Sequence, residues 1–253
     1  MDQRWMRAAV LAAAAWLSGC ATGPQGTQAP PPGTLRYAGT LPCTDCPGLH
    51  TELWLYRQPD GSPGGYRLVQ RPLGVAQTGA LESRGQWVAG TGAADDPQAV
   101  VIQMDPAEPA RLRSFRQAGP WVLRALDSQL RELPAAWPRS LVRVPDEVPP
   151  GALVLTLGDR VARHDVRPGQ EIVLLLPSQP ARGYRWRVLD LPGGLRSSGA
   201  GGHVPDPAMA PPGGGFDVVR LQAAGAGLMD LRVQYASDAG QVLETVLFEL
   251  QSR

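Results

Sequence analysis

Two cysteines separated by two residues, Cys43 and Cys46, are the side chains whose types and spacing best fit a chemical role. Two thiols this close can close a small disulfide ring, which constrains little chain and therefore stabilises little. Such a ring, if strained, is easily reduced and can report redox state. The two thiolates, with His50 nearby, can instead bind the soft ion Cu(I). We favour a structural disulfide and leave the redox and metal roles open; no cofactor is predicted outright, and Cu(I) is the candidate.

The remaining side chains offer little for catalysis. Every one of the 24 Lys and Arg residues is an arginine, so no lysine is present as a base, a Schiff-base former or a phosphate anchor. His164 and His203 lie near carboxylates, but in Gly- and Pro-rich segments where exposed turn residues are expected. We therefore predict that the protein is not an enzyme. The formal net charge of +1 provides no basic field, so no nucleic-acid partner is predicted.

The third cysteine, Cys20, follows a targeting pattern. Two arginines precede an uncharged apolar run at 8–16, which is too short to span a bilayer as a helix. The next residues, Leu17-Ser18-Gly19-Cys20, resemble the lipobox of bacterial lipoproteins. This resemblance implies a signal peptide at 1–19 and a lipid anchor on Cys20 that holds the protein on a membrane.

The residues after the cleavage site predict where the folded part lies. Ala21, rather than Asp, follows the lipidated cysteine, which in similar lipoproteins favours the outer membrane. The segment 20–34 is rich in Pro, Gly and small polar residues, so we expect a tether. The predicted location is the cell envelope, lipid-anchored in the outer membrane and facing the periplasm or the surface.

The rest of the chain shows short alternating runs instead of helical periodicity. Runs such as Val100–Met104 and Glu171–Leu176 are separated by Gly and Pro, which is typical of β-strands joined by turns. Three prolines interrupt this pattern at 145–150 and predict a linker. We therefore expect an all-β protein of two domains, one at 35–144 and the other at 151–253.

The first domain contains a specific motif around the cysteine pair. The stretch Gly39-Thr-Leu-Pro-Cys43-Thr-Asp-Cys46-Pro-Gly-Leu-His-Thr51-Glu-Leu53-Trp-Leu55 resembles the start of the NlpE N-terminal domain, and Gly85-Gln-Trp87 and Leu123-Arg-Ala-Leu126-Asp127 resemble later parts of it. The resemblance implies a small lipocalin-like β-barrel in an envelope lipoprotein. It also implies roles in copper handling or envelope stress, with an envelope sensor protein as partner.

The second domain resembles a different family. Leu176-Pro-Ser-Gln-Pro-Ala-Arg-Gly183-Tyr184-Arg-Trp186, followed by the glycine run before Phe216, is similar to the chagasin family of inhibitors of papain-like cysteine proteases. The resemblance implies an immunoglobulin-like β-sandwich in which loops at one end enter the protease cleft. The protease-binding residues it implies are Gln179, Pro180, Arg182, Gly183, Tyr184, Gly213, Gly214 and Gly215.

Two departures from the chagasin pattern leave the function open. Ala181 and Arg182 replace a pair of threonines, and Tyr235 is followed by a plain hairpin sequence instead of Arg-Pro-Trp. Tyr184 and Trp186 also fit a purely structural role in the sandwich core. The leading hypothesis is non-catalytic sensing or binding at the envelope, of copper, redox state or envelope stress. The alternatives are inhibition of a papain-like protease and transport of a small apolar ligand in the barrel.

Overall fold

In the computed structural model, the described residues are 33–74, 79–134, 136–207, 209 and 212–253. The predicted signal peptide at 1–19, the lipidated Cys20 and the tether up to residue 32 lie outside these residues. Within the described ranges, no helix has the length and apolar character needed to cross a membrane.

Nearly all regular structure is β-strand. In chain order the strands are β1 (Leu35–Leu41), β2 (Leu49–Arg57), β3 (Pro63–Pro72), β4 (Leu81–Thr91), β5 (Val100–Met104), β6 (Arg113–Gln117), β7 (Val122–Ala125), β8 (Ser140–Arg143), β9 (Leu153–Thr156), β10 (Arg163–Val166), β11 (Glu171–Ser178), β12 (Tyr184–Asp190), β13 (Leu195–Ser197), β14 (Gly202–Pro205), β15 (Gly215–Ala223), β16 (Gly227–Ser237) and β17 (Val242–Ser252). Two short 3-10 helices, Leu157–Val161 and Pro180–Arg182, complete the regular elements of the described residues.

Strands β1 to β8 form a closed barrel. Each strand pairs antiparallel with the next, and β8 pairs with β1 to close the ring. Because side chains alternate along a strand, Tyr37, Leu53 and Leu55 point inward, and each is at most 2 % exposed. They pack in one cluster with inward side chains from the other strands, including Trp87 and Phe115. The middle of the barrel is therefore a packed core.

Strands β9 to β17 form a sandwich of two sheets. One sheet has the order β10-β17-β16-β12, and the other has the order β13-β15-β11-β9 with β14 also paired to β15. The pairs β9–β11 and β10–β17 are parallel, and the other pairs are antiparallel. Leu174, Trp186, Leu231 and Phe248 belong to the cluster between the sheets. The predicted fold class, an all-β chain with a small barrel followed by an immunoglobulin-like sandwich, is confirmed.

The barrel packs directly against one face of the sandwich. Ala38, Val122 and Val142 on the outside of the barrel form one buried cluster with Val173 and Leu175 of the sandwich. The segment 145–150, expected as a linker, takes part in this contact because Val148 is buried in the same cluster. The two units therefore form a continuous apolar interface.

Two polar contacts between barrel and sandwich show how the strands of the two units are oriented relative to one another. A guanidinium nitrogen of Arg36 donates a hydrogen bond to the carbonyl of Ala152 at 2.9 Å, and the hydroxyls of Thr40 and Thr156 are 2.8 Å apart. From the first contact to the second, the chain advances four residues along β1 and four residues from Ala152 to Thr156 at the end of β9. The strands β1 and β9 therefore run in the same direction. The end of the barrel reached by β1 consequently lies at the end of the sandwich reached by β9.

Candidate functional site

Three loops meet at one end of the sandwich, and the first of them, loop A, spans residues 178–184. It leaves β11 at Ser178, turns through the 3-10 helix Pro180–Arg182 and enters β12 at Tyr184. Pro180 occupies the first helical turn, where its fixed φ favours the helix. Gly183 ends the turn with a φ of +75°, a conformation that disfavours residues with a side chain. Ala181 and Arg182 are exposed at the tip.

The second loop, loop B, joins β14 to β15, and its described residues are 206, 207, 209 and 212–214. Its base is closed by the amide of Asp206, which donates to the carbonyl of Gly214 at 3.0 Å. A Cβ added to Gly213 would lie 2.7 Å from the Cβ of Ala181, and one added to Gly214 would lie 2.5 Å from the side-chain nitrogen of Gln179. The glycines of loop B therefore allow it to pack against loop A.

The third loop, loop C, is the hairpin turn 237–241 between β16 and β17. The amide of Asp238 donates to the carbonyl of Gly183 at 3.0 Å. The hydroxyl of Tyr184 donates to the side-chain oxygen of Gln241 at 2.8 Å. Loop A thus contacts both neighbours, and the three loops form a row in the order B, A, C.

A buried carboxylate supports this row from below. Asp217 on β15 is 5 % exposed and accepts hydrogen bonds from the hydroxyl of Ser178 at 2.8 Å and from the amide of Trp186 at 2.9 Å. Nδ1 of His203 lies 3.1 Å from the same carboxylate. Asp217 therefore connects both ends of loop A with the strand that follows loop B, and it joins the two sheets at the loop end.

The presence of Ser178, His203 and Asp217 in one cluster does not produce a nucleophilic triad. Such a triad needs the serine at one imidazole nitrogen and the carboxylate at the other. Here the Ser178 hydroxyl lies 3.3 Å from Nδ1, the same nitrogen that faces Asp217, and it donates to Asp217. The hydroxyl is thus not placed to lose its proton to the imidazole, and the cluster serves to position the loops.

The two aromatic residues of the chagasin-like motif have different environments. Trp186 is 7 % exposed, belongs to the sandwich core and donates from its indole nitrogen to the carbonyl of Pro177 at 2.7 Å. Its ring stacks on Tyr235, with centroids 5.1 Å apart. Tyr184 is only half-buried, and it bridges loops A and C. Trp186 therefore fills the core, whereas Tyr184 belongs to the surface of the loop end.

The cysteine pair lies in the turn between β1 and β2. Cys43 and Cys46 form a disulfide, with Cα atoms 5.3 Å apart. Thr156 pairs with Leu175 on β11, three residues before loop A begins, and Thr40, which contacts Thr156, is three residues before Cys43. Because β1 runs in the same direction as β9 and β11, the disulfide turn projects from the same end of the molecule as loop A.

His50 points away from the disulfide turn and into the contact between barrel and sandwich. It is 3 % exposed, and its Nδ1 donates to Asp159 at 2.7 Å. Nε2 is 3.7 Å from Glu52, which forms an ion pair with Arg36 at 2.7 Å. Among the described residues, no group of three or more His, Cys, Asp and Glu side chains is arranged to hold a metal ion. The combination of Cys43, Cys46 and His50 as Cu(I) ligands stays a prediction for the reduced protein.

The interface charges are strongly coupled. Burial lowers the pKa of His50, but the charge and hydrogen bond of Asp159 outweigh this effect and raise it to about 9. Burial raises the pKa of Glu52, but His50 and Arg36 outweigh this effect and lower the pKa to about 2. Burial also opposes ionisation of Asp159, yet the charge of His50 holds the pKa of that carboxyl below its usual value. The cluster is ionised and paired at neutral pH.

The expectation that His164 and His203 are exposed turn residues is wrong. Both are half-buried and lie in the short strands β10 and β14. Nε2 of His164 donates to the carbonyl of Asp159 at 2.8 Å. Short strands flanked by Gly and Pro resemble turns in a sequence, and their pairing with distant strands has no local signal. Asp159, in a 3-10 helix, and Asp217, in the long strand β15, were missed as organising residues because their partners His50 and Ser178 lie far away in the chain.

The fold and the loop end define a class of protein: a β-barrel fused to a sandwich whose end loops are held together by hydrogen bonds. Residues 37–135 match the model of the NlpE N-terminal domain, and residues 165–251 match that of the chagasin family peptidase inhibitor I42. The chain therefore combines an NlpE-like domain with a chagasin-like domain. The families of both domains are non-catalytic.

Solved structures that are similar to part of the chain include two of low sequence identity. One is the cysteine protease inhibitor EhICP2 from Entamoeba histolytica, with 14 % identity and a TM-score of 0.34 over 40 % of this chain and 95 % of that chain. Another is the solution structure of Amebosin, with 20 % identity and a TM-score of 0.33 over 40 % of this chain and 96 % of that chain. No curated protein matches the chain.

Proposed function

We propose that the chain is a non-catalytic envelope protein whose sandwich binds a partner through loops A, B and C, and that the partner is a papain-like cysteine protease. The observation that supports this proposal is the convergence of the three loops, in which loop A contacts loop B through Ala181 and Gly213 and loop C through Gly183 and Asp238. The match of residues 165–251 to the chagasin model supports the same partner class.

The chemistry of loop A suits entry into a cleft. Pro180 and the hydrogen bonds at Gly183 already hold its backbone in one conformation, so docking costs little conformational entropy. Glycines and small side chains on loop B let the backbone approach a partner closely. Loop C contains Gln241, which accepts a hydrogen bond from Tyr184, but it contains no aromatic side chain that could anchor a partner protein. We therefore expect loop A to contribute most of the affinity.

The test is inhibition of papain by the full chain in detergent, measured as loss of hydrolysis of a fluorogenic peptide. We expect inhibition at about 1 µM or below, which corresponds to about 8 kcal/mol of binding free energy. Ala181→Trp, which places bulk at the tip of loop A, should weaken inhibition at least about tenfold, or about 1.4 kcal/mol. Leu228→Trp places a tryptophan at the exposed start of β16, far from the loops, and serves as the control.

Two results would count against this assignment. One is the absence of inhibition by the unmodified chain at about 10 µM, a concentration at which even binding of about 7 kcal/mol is visible. The other is equal loss of inhibition in the Ala181→Trp and Leu228→Trp variants, since this would show that the effect does not come from the loop end.

A second candidate function, sensing of copper or redox state in the envelope, rests on the disulfide turn. Cys43 and Cys46 are half-buried, and the turn that carries them projects at the same end as loop A. After reduction, we expect Cu(I) to bind the two thiolates. Titration of the reduced chain against a competing chelator tests this, with Cys43→Ser/Cys46→Ser as the control. Equal Cu(I) affinity of the two proteins would exclude the cysteine pair as the site.

The proposed location and the carrier alternative follow from other parts of the chain. The match of residues 37–135 to the NlpE domain supports an envelope location, and lipid attachment at Cys20 and placement in the outer membrane stay predictions. A carrier function finds space at one mouth of the barrel, where Leu41, Leu112 and Trp137 line a cavity of about 510 Å³. The packed core described above occupies the middle of the barrel.

A further inference from the structure

Loop B touches the barrel as well as loop A. The carboxylate of Asp206 forms an ion pair with Arg124 of β7 at 3.0 Å, and Asp206 and Arg124 are 1 % and 8 % exposed. The next residue, Pro207, lies against Gly119 in the turn before β7, where an added Cβ would be 2.9 Å from the proline ring. The base of loop B is therefore held by two barrel contacts.

These contacts continue through loop B to loop A. Asp206 donates its amide to the carbonyl of Gly214, and its own carbonyl accepts from the amide of Met209. Met209 packs against the apolar cluster between barrel and sandwich. Gly214 in turn lies against Gln179 of loop A. A continuous set of contacts thus leads from Arg124 to the tip of the loop end.

We infer that the barrel is a part of the partner-binding end, in which Arg124 and Gly119 act as positioning residues that hold loop B in its binding conformation. This inference rests on the proposed function for its binding consequence, but the ordering of loop B is testable without a partner. It gives the barrel a role in binding that neither domain family alone implies. A buried carboxylate that loses a charged partner is more costly to keep ionised, so loss of Arg124 weakens the hold of the barrel on the base of the loop.

The first experiment compares Arg124→Met with the unmodified full chain in two measurements. Amide hydrogen exchange should increase at least tenfold in peptides covering residues 205–215, and inhibition of papain should weaken at least tenfold. Arg116→Met is the matched control, because Arg116 lies opposite Arg124 on the neighbouring strand and forms ion pairs with Asp95, Asp96 and Glu132, but forms none with the described residues of loop B. The charge exchange Arg124→Asp with Asp206→Arg should restore part of both effects.

A second variant avoids breaking an ion pair. Gly119→Ala places a methyl group against Pro207, whereas Gly61→Ala introduces the same left-handed backbone strain in a turn with no atom within 4 Å of the added Cβ. Only Gly119→Ala should increase exchange in loop B and weaken inhibition.

Unchanged exchange of residues 205–215 in both Arg124→Met and Gly119→Ala overturns the inference, whether or not papain is inhibited. If exchange increases in the variants but the unmodified chain does not inhibit papain, the barrel orders loop B as inferred, and the protease is rejected as the partner. Increased exchange with undiminished inhibition shows that loop B makes no contribution to binding and overturns the positioning role.

Discussion

Two carboxylate–histidine clusters in this molecule have similar composition and different tasks. The first, between barrel and sandwich, joins Asp159 to His50 and is buried on all sides. The second, below the loops, joins Asp217 to His203, whose side chain is 22 % exposed. Asp159 connects two units, whereas Asp217 connects two sheets within one unit.

The environments of the two clusters explain this difference. His50 is shielded from water, and its pKa is raised to about 9 by the carboxylate it faces. Asp217 receives two uncharged donors, the Ser178 hydroxyl and the Trp186 amide, in addition to the histidine. The interface cluster thus depends on charge, and the loop cluster depends on hydrogen-bond geometry. Substitutions that remove a charge should therefore affect stability differently in the interface cluster and in the loop cluster.

The largest effect is expected for Asp159→Ala. This substitution leaves the buried His50 charge with only the more distant Glu52, 3.7 Å from Nε2, and removes the acceptor for the amide and hydroxyl of Thr156. We expect a loss of about 3–5 kcal/mol in the free energy of unfolding, as for other broken buried pairs. Urea denaturation followed by tryptophan fluorescence measures it. A loss below about 1 kcal/mol would show that the pair contributes little net stability.

Local sequence patterns predicted the fold but not this interface. Alternation along β2 is visible in the sequence, because a period of two is a local property of a strand, and it places Leu53 and Leu55 on one face, which is buried in the barrel. The same alternation marks His50 and Glu52 as outward and polar, which is the pattern of a solvated face. Both are buried because a second unit covers that face, and nothing within β2 signals a neighbour more than 100 residues away in the chain.

At the loop end, local sequence patterns likewise gave no signal of the individual contacts between the two domains. Gln179, Gly183 and Gly213 of the chagasin-like motif lie in loops that contact one another, and their role in binding a protease stays a prediction. The motif carried no information about Arg124, since that side chain belongs to the other domain. Ion pairs between domains depend on how two surfaces meet, and an aspartate beside a proline in a Gly-rich loop has the same local sequence whether it is solvated or buried.

The pH dependence of stability sharpens the comparison and has the second-largest expected effect. The pKa of His50 is raised from 6.5 to about 9, so its stabilising contribution is complete below pH 6.5 and is lost as the pH rises through 9. The pKa of Glu52 is lowered from 4.5 to about 2, so its contribution is complete above pH 4.5 and is lost as the pH falls toward 2. Each shift corresponds to about 3 kcal/mol, and the two are coupled.

Stability should therefore be greatest between about pH 4.5 and 6.5. The free energy of unfolding, measured in urea from pH 3 to 10, should decline on both sides of this window. In His50→Gln the decline above pH 6.5 should be much smaller than in the unmodified chain. An identical alkaline decline in both proteins would mean that His50 does not carry the proton that this geometry assigns to it.

The smallest effect is expected for Asp217→Asn, which tests the loop cluster. Asparagine has nearly the same shape but only one acceptor oxygen, so the Ser178 hydroxyl and the Trp186 amide no longer both find an acceptor. We expect a loss of about 1–3 kcal/mol in the free energy of unfolding. Because both bonds fix the ends of loop A, inhibition of papain should weaken as well, even at temperatures where the chain stays folded. A variant that loses stability but inhibits as strongly as the unmodified chain would show that Asp217 supports the sandwich without positioning loop A.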